Sequence, residues 1–149
     1  MKNILLIGGS YGIGLAIAKE IESGNNVFVA SRTNENLEDL NVTHIPFDAL
    51  NDTLDLSTLP AVIDGLVYCP GSINLRPFRG LKPEAFENDL QINFISLVKV
   101  IQSILPNLTA SEQSSIVLFS SVAASMGMPF HTSVAASKGA IEGFAKALA

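Results

Sequence analysis

The sequence predicts an α/β protein: a doubly wound parallel sheet in three αβα layers, with strand order 3-2-1-4-5. Three observations predict it. Short β-branched runs alternate with longer helical patterns along 149 residues. Strands separated by helices imply right-handed crossovers between parallel neighbours, with helices on both faces. The first, fourth and fifth strand candidates are continuous apolar runs, as doubly covered strands are.

Each element has a local reason. Asn3 to Ile7 (NILLI) reads as a buried strand ending at Gly8-Gly9. Ile13 to Ile21 follows, with Ile13, Leu15, Ile17 and Ile21 at helical spacing. Ser23-Gly24-Asn25-Asn26 is expected to stop that helix, since Gly and Asn tolerate a left-handed cap. Val27 to Ala30 is a second strand. Val42 to Phe47 is a weaker third one, suited to a sheet edge because Pro46 cannot donate to a ladder. Ala61 to Cys69 reads as the fourth strand, and residues 70–81, with Pro70, Gly71, Pro77 and Gly80, as a loop. Pro83 suits the first turn of a helix. Phe86, Leu90, Phe94, Val98 and Ile101 give that helix an apolar stripe that Pro106 is expected to end. Ser115 to Ser120 is the fifth strand, Ser121 to Thr132 a loop, and Ser133 to Ala149 an Ala-rich helix with Ala136, Ala140, Phe144 and Leu148 on one face.

Composition narrows the function classes. The chain is 48% apolar and 15% charged, enough for the core of one domain, 1–149. Nine Lys+Arg against 14 Asp+Glu give a net charge of −5 and a pI near 4.9. No basic cluster is present to hold nucleic acid or an anionic membrane surface. No apolar stretch is read as reaching the ~20 residues of a membrane span, and the N-terminal apolar run is too short for a signal peptide. The single cysteine, Cys69, allows no internal disulfide and leads to an expected cytoplasmic setting; it is read as a small buried thiol. His44 is read as structural, and no metal site is expected.

Gly8-Gly9-Ser10-Tyr11-Gly12-Ile13-Gly14 lies between the first strand and the first helix. A diphosphate needs backbone N–H groups aimed at it and no side chain in the way; glycine supplies the turn and the clearance, and the helix N-terminus adds its dipole. The bland alternative is a tight strand-to-helix turn without a ligand. The strand before, the helix after and a second strand about twenty residues on complete the dinucleotide fingerprint.

The spacing G-x-x-x-G-x-G at Gly8, Gly12 and Gly14 resembles the loop of the short-chain dehydrogenase/reductase family, with Gly9 where Thr often begins the motif. The resemblance runs along the whole chain. It implies a Rossmann-type domain that binds dinucleotide through Gly8, Ser10, Tyr11, Gly12, Ile13, Gly14, Ser31, Arg32, Thr33, Asp48, Gly71 and Lys138. Asp48 matches the acid that contacts the adenine, Asn93 the helix Asn, Ser121 the catalytic Ser and Lys138 the catalytic Lys. At the strand end facing the adenosine ribose, Ser31-Arg32-Thr33 is neutral with a guanidinium alongside, which points to NADP rather than NAD. Otherwise Arg32 is a solvated strand-end cation.

The chain departs from the family in three places. Val134 stands where the family has its catalytic Tyr, four residues before Lys138 and thirteen after Ser121; the tyrosines, Tyr11 and Tyr68, lie elsewhere. Losing a general acid costs ~10²–10⁴ in rate. His131, seven residues before Lys138, is the substitute candidate, and its alternative is a polar loop residue. Tyr68-Cys69-Pro70-Gly71 replaces the family's Asn-Asn-Ala-Gly, keeping Gly71. The family also continues past Ala149 with the strands and segment that cover the substrate, so these residues are expected to be part of a longer product. Two readings result. One is an NADP-dependent oxidoreductase acting on a carbonyl or secondary alcohol, with Asn93 holding a relay water. The other is a catalytically impaired dinucleotide-binding module acting as a redox sensor or assembly partner. The resemblance also implies a homodimer or homotetramer paired through helices 83–105 and 133–149.

Overall fold

The computed structural model describes every residue, Met1–Ala149. The strands are β1 (Asn3–Ile7), β2 (Asn26–Ser31), β3 (Val42–Pro46), β4 (Gly65–Tyr68) and β5 (Ser115–Leu118). The helices are α1 (Gly12–Ile21), α2 (Pro83–Leu90), α3 (Ser96–Thr109) and α4 (Thr132–Leu148). A π-helical turn, Gln91–Ile95, joins α2 to α3. The chain forms two compact units: Met1–Cys69 with Lys99–Leu118, and Pro70–Val98 with Phe119–Ala149.

The first unit holds the whole sheet. All four pairings are parallel and the order is β3-β2-β1-β4-β5, the Rossmann-type αβα arrangement expected. Leu5, Leu6, Ile7, Val29, Ala30 and Leu66 have no accessible surface, so the central strands are covered on both faces. Pro46 closes β3 at one edge, where a missing N–H costs no ladder bond. β5 forms the other edge and alternates between exposed and half-buried residues. Val100, Ile101, Ile104 and Leu108 give α3 its buried stripe.

Several local expectations are corrected. β4 starts at Gly65 rather than Ala61: Ile63 N–H donates to the Asn107 carbonyl, outside the sheet, and Asp64 is where the chain joins the strands, its N–H donating to the Asn3 carbonyl and its carbonyl accepting from Ser115 N–H. α1 ends without a left-handed residue; the Asn25 side chain donates to the Ile21 carbonyl instead. α3 runs through Pro106 to Thr109. Gln102, whose carbonyl Pro106 cannot serve, is exposed, so water can take that bond. The helical run Pro83–Thr109 therefore reaches 27 residues with a mean hydropathy of 1.2 over its most apolar window. By length and composition it can cross a membrane, where none was counted from the sequence; 39% of that window is buried in the fold.

In the second unit α2, the π-helical turn and α4 pack together. The Phe94 and Phe144 rings meet edge to face with centroids 5.7 Å apart. Pro83 opens α2 as expected. The buried face of α4 is Ser133, Val134, Ser137, Lys138 and Ile141; Ala136 and Leu148 of the expected face are exposed. Loop 119–131 contains one 3-10 turn, Val122–Ala124.

Candidate functional site

The glycine turn is in the first unit. Gly8 (φ 79°) and Gly12 (φ 53°) hold left-handed backbone that side chains disfavour. A Cβ on Gly14 would collide with the Gly8 carbonyl. The first intrahelical bond is Leu15 N–H to the Tyr11 carbonyl, and no side chain caps α1 nor does an acid sit in its first turn. The amides of Gly12, Ile13 and Gly14 therefore open the helix with its positive end unfilled, the electrostatics an anion requires. Tyr11 and Ile13 are exposed beside them.

The end of β2 and the segment after it bond to this turn. Ser31 is buried and its hydroxyl donates to the Thr33 carbonyl (2.8 Å); Thr33 Oγ1 donates to Ser10 Oγ (3.3 Å). Asn36, which sequence reasoning missed, donates to the Ser10 carbonyl (3.1 Å). His44 Nε2 lies 3.1 Å from the Ser31 carbonyl, a structural use. Arg32 is exposed. The Asp48 carboxylate closes its own turn, accepting from Leu50 N–H (2.9 Å) and Asn51 Nδ2 (3.2 Å).

The second unit carries the other candidates. Lys138 is 9% exposed and its Nζ donates to the Phe119 carbonyl (3.0 Å). Val134 is buried one turn earlier, on the same helix face. Ser121 caps the 3-10 turn, its Oγ accepting from Ala123 N–H (3.2 Å). His131 is half-buried at the start of α4, and its Nδ1 lies 2.7 Å from the Pro129 carbonyl. A carbonyl only accepts, so Nδ1 carries a proton and Nε2 is the nitrogen that can gain or give one. Phe130 just before it holds φ 67°, a left-handed conformation costing about 1 kcal/mol. Asn93 is fully buried in the π-helical turn, the kind of helix defect found at functional positions. A Cβ on Gly71 would stand 3.4 Å from Asn93 Oδ1 and 3.7 Å from Lys138 Nζ, so Gly71, Asn93 and Lys138 surround one point. Ser72, Asn74 and Asp89, none of them singled out from the sequence, bond to one another and to Asn93.

Residues 2–149 match the family model for short chain dehydrogenases. The chain belongs to the short-chain dehydrogenase family. Among its relatives in that family, retinol dehydrogenase 8 from Homo sapiens is 30% identical, the match covering 99% of this chain and 53% of the relative. Hydroxysteroid 11-beta-dehydrogenase 1-like protein A from Xenopus laevis is also 30% identical, over 99% of this chain and 56% of the relative. The chain thus spans about half the length of the curated relatives it matches. A crystal structure of a short chain dehydrogenase from Shigella flexneri superposes with a TM-score of 0.89 at 25% identity, covering 99% of this chain and 66% of that one. The short-chain dehydrogenase fold implies a nicotinamide dinucleotide cofactor. The glycine turn fits its diphosphate: three helix-opening amides lack intrahelical acceptors, and space lies open where a Gly12 Cβ would stand.

Proposed function

We propose that this chain is the dinucleotide-binding part of an NADP-dependent oxidoreductase that reduces a carbonyl or oxidises a secondary alcohol. The observation that carries the reading is the uncapped glycine turn, together with Gly71, Asn93 and Lys138 around one point in the second unit. Bound cofactor supplies or takes the hydride. Gly8, Gly12 and Gly14 clear the approach to the diphosphate, and the amides opening α1 hold its charge. Ser31, neutral and already bonded to Thr33, leaves no carboxylate to repel a 2′-phosphate, and exposed Arg32 offers it a planar fork. Lys138, held by the Phe119 carbonyl, binds the nicotinamide ribose, and Ser121 orients the substrate oxygen. The developing alkoxide still needs a proton, which Val134 cannot give. His131 supplies it from Nε2 while its Nδ1–H stays on Pro129. The reading takes the protein as cytoplasmic and as a homodimer or homotetramer.

Two measurements test this. Calorimetric titration with NADPH and NADH should show tighter NADPH binding, and Arg32→Ala should weaken NADPH by about tenfold or more while sparing NADH; equal losses overturn the NADP assignment. Nicotinamide absorbance followed with ketones, aldehydes and 3-oxoacyl thioesters should show turnover that Val134→Ala keeps and His131→Ala loses. Binding without turnover on any of them makes the chain a non-catalytic module instead.

A further inference from the structure

The second unit buries a carboxylate that the proposed chemistry does not use. Asp89 is 1% exposed. Its Oδ1 accepts two hydrogen bonds, from Ser72 Oγ (2.5 Å) and from Asn74 Nδ2 (3.0 Å). Ser72 Oγ in turn accepts from Asn93 Nδ2 (2.9 Å), and the same Nδ2 donates to the Asp89 carbonyl (2.8 Å). Both protons of the Asn93 amide are thereby committed, and its Oδ1, buried and without a hydrogen-bond partner, is the oxygen beside Gly71 and Lys138.

The bond directions in this network are linked. Asp89 Oδ1 accepts from the Ser72 hydroxyl and from Asn74 Nδ2. A hydroxyl has one proton, so Ser72, having spent it on Asp89, can only accept from Asn93. Asn93 must therefore turn its NH₂ toward Ser72, and its oxygen falls on the opposite side. Reversing the amide would set its oxygen against the Ser72 hydroxyl and Asp89 carbonyl oxygens that now accept from it, and its NH₂ toward Lys138, leaving buried groups unpaired.

We propose that Asp89 is a positioning residue: acting through Ser72, its carboxylate fixes the Asn93 amide with Oδ1 turned toward Gly71 and Lys138. The oxygen offered there complements the Lys138 ammonium, and the bond to the Asp89 carbonyl ties the same amide into the π-helical turn. The inference deepens the proposed site, because it rests on Asn93 and Lys138 belonging to it. Its test needs no cofactor, so it fails or stands separately from the NADPH titrations.

The test follows the Asn93 side-chain NH₂ signals in ¹⁵N-labelled protein, assigned by their loss in Asn93→Asp. Both protons should be protected from exchange in the unaltered chain. Ser72→Ala should shift one of them and speed its exchange by about fivefold or more, the loss expected for one hydrogen bond. Ser72→Thr, which keeps the hydroxyl, should restore the original position. Asp89→Asn, which can donate as well as accept, should give a second set of Asn93 signals from the reversed amide. A merely structural network would lower the melting temperature in these variants without moving those signals. Unmoved Asn93 signals in folded Ser72→Ala, or a Ser72→Thr that fails to restore them, overturn the proposal. Should Asp89→Asn not fold, the Ser72 pair decides alone.

Discussion

Gly12 and Gly14 lie two residues apart at the start of α1, and replacing each by Ala separates folding from ligand binding. At Gly14 an added Cβ would stand 3.0 Å from both the Gly8 carbonyl carbon and Gly9 Cα, and closer still to the Gly8 oxygen. All three atoms are backbone, so no side chain can swing aside. Gly8 is itself anchored, its N–H donating to the Ala30 carbonyl at 2.8 Å. Moving it breaks a bond to β2, and overpacking against rigid backbone costs about 3 kcal/mol. At Gly12 nothing lies within 4 Å of the added atom; the cost is the left-handed φ of 53°, about 1 kcal/mol. With a urea m-value of about 2 kcal/mol/M, the midpoints should fall by about 1.5 M for Gly14→Ala and about 0.5 M for Gly12→Ala. NADPH binding should follow another order. In the proposed cradle the open space at Gly12 takes the diphosphate, so Gly12→Ala should abolish binding in protein that remains largely folded. Urea unfolding and calorimetric titration of both variants check the pair. A Gly14→Ala midpoint at or above that of Gly12→Ala, with m unchanged, refutes the backbone argument; full NADPH binding by Gly12→Ala refutes the cradle.

Three further outcomes are expected. Asp64 is held below its ordinary value of 3.8, first by Asn3 N–H and then by Ser111 Oγ. A lowered folded-state value stabilises the fold above 3.8, and the gain is lost as pH falls from there through the folded value; Asp64→Asn should flatten that acid limb in urea midpoints taken across pH. Ile104→Ala, at a position with no accessible surface, should cost about 3 kcal/mol by urea unfolding. A double-mutant cycle on Phe94 and Phe144, each to Leu, should return a coupling of about 1 kcal/mol for their edge-to-face contact.

The sheet order and glycine turn were legible in the sequence because local rules and the global fold agree there. Apolar runs mark β1 and β4, Pro46 marks an edge, and the glycines stand where backbone must turn or approach closely. The misreadings share a cause. Residue type makes Pro106 a helix end, and spacing alone puts Ala136, Ala140, Phe144 and Leu148 on the inner face of α4. In the structure the buried face of α4 includes Ser137 and Lys138, because Phe119, nineteen residues earlier, offers Lys138 a carbonyl. Asp89 looks like a surface acid on an amphipathic helix; Ser72 and Asn74, both half-buried, give it donors from a loop 15–17 residues upstream. Periodicity cannot see partners brought together by folding, so polar groups that belong inside are assigned outside.

Val134 brings these strands together. It shares the inward face of α4 with Ile141, seven residues on, so valine meets the packing demands of its position. What it lacks is a proton. The bonds that hold Lys138 to Phe119 and Asn93 to Ser72 involve no group at position 134, so the surrounding polar framework stands without a phenol there. Fold and chemistry are separable at this residue, and Val134→Tyr tests the separation. Tyr exceeds the space a 4%-exposed Val fills, so about 1–3 kcal/mol of stability should be lost to overpacking. Its hydroxyl, one turn from Lys138, should raise carbonyl reduction by about tenfold or more over the unaltered chain, and Lys138→Met in the same background should remove the gain. A folded Val134→Tyr that binds NADPH and gains no turnover would mean that the framework around Lys138 does not hold a proton donor in working position.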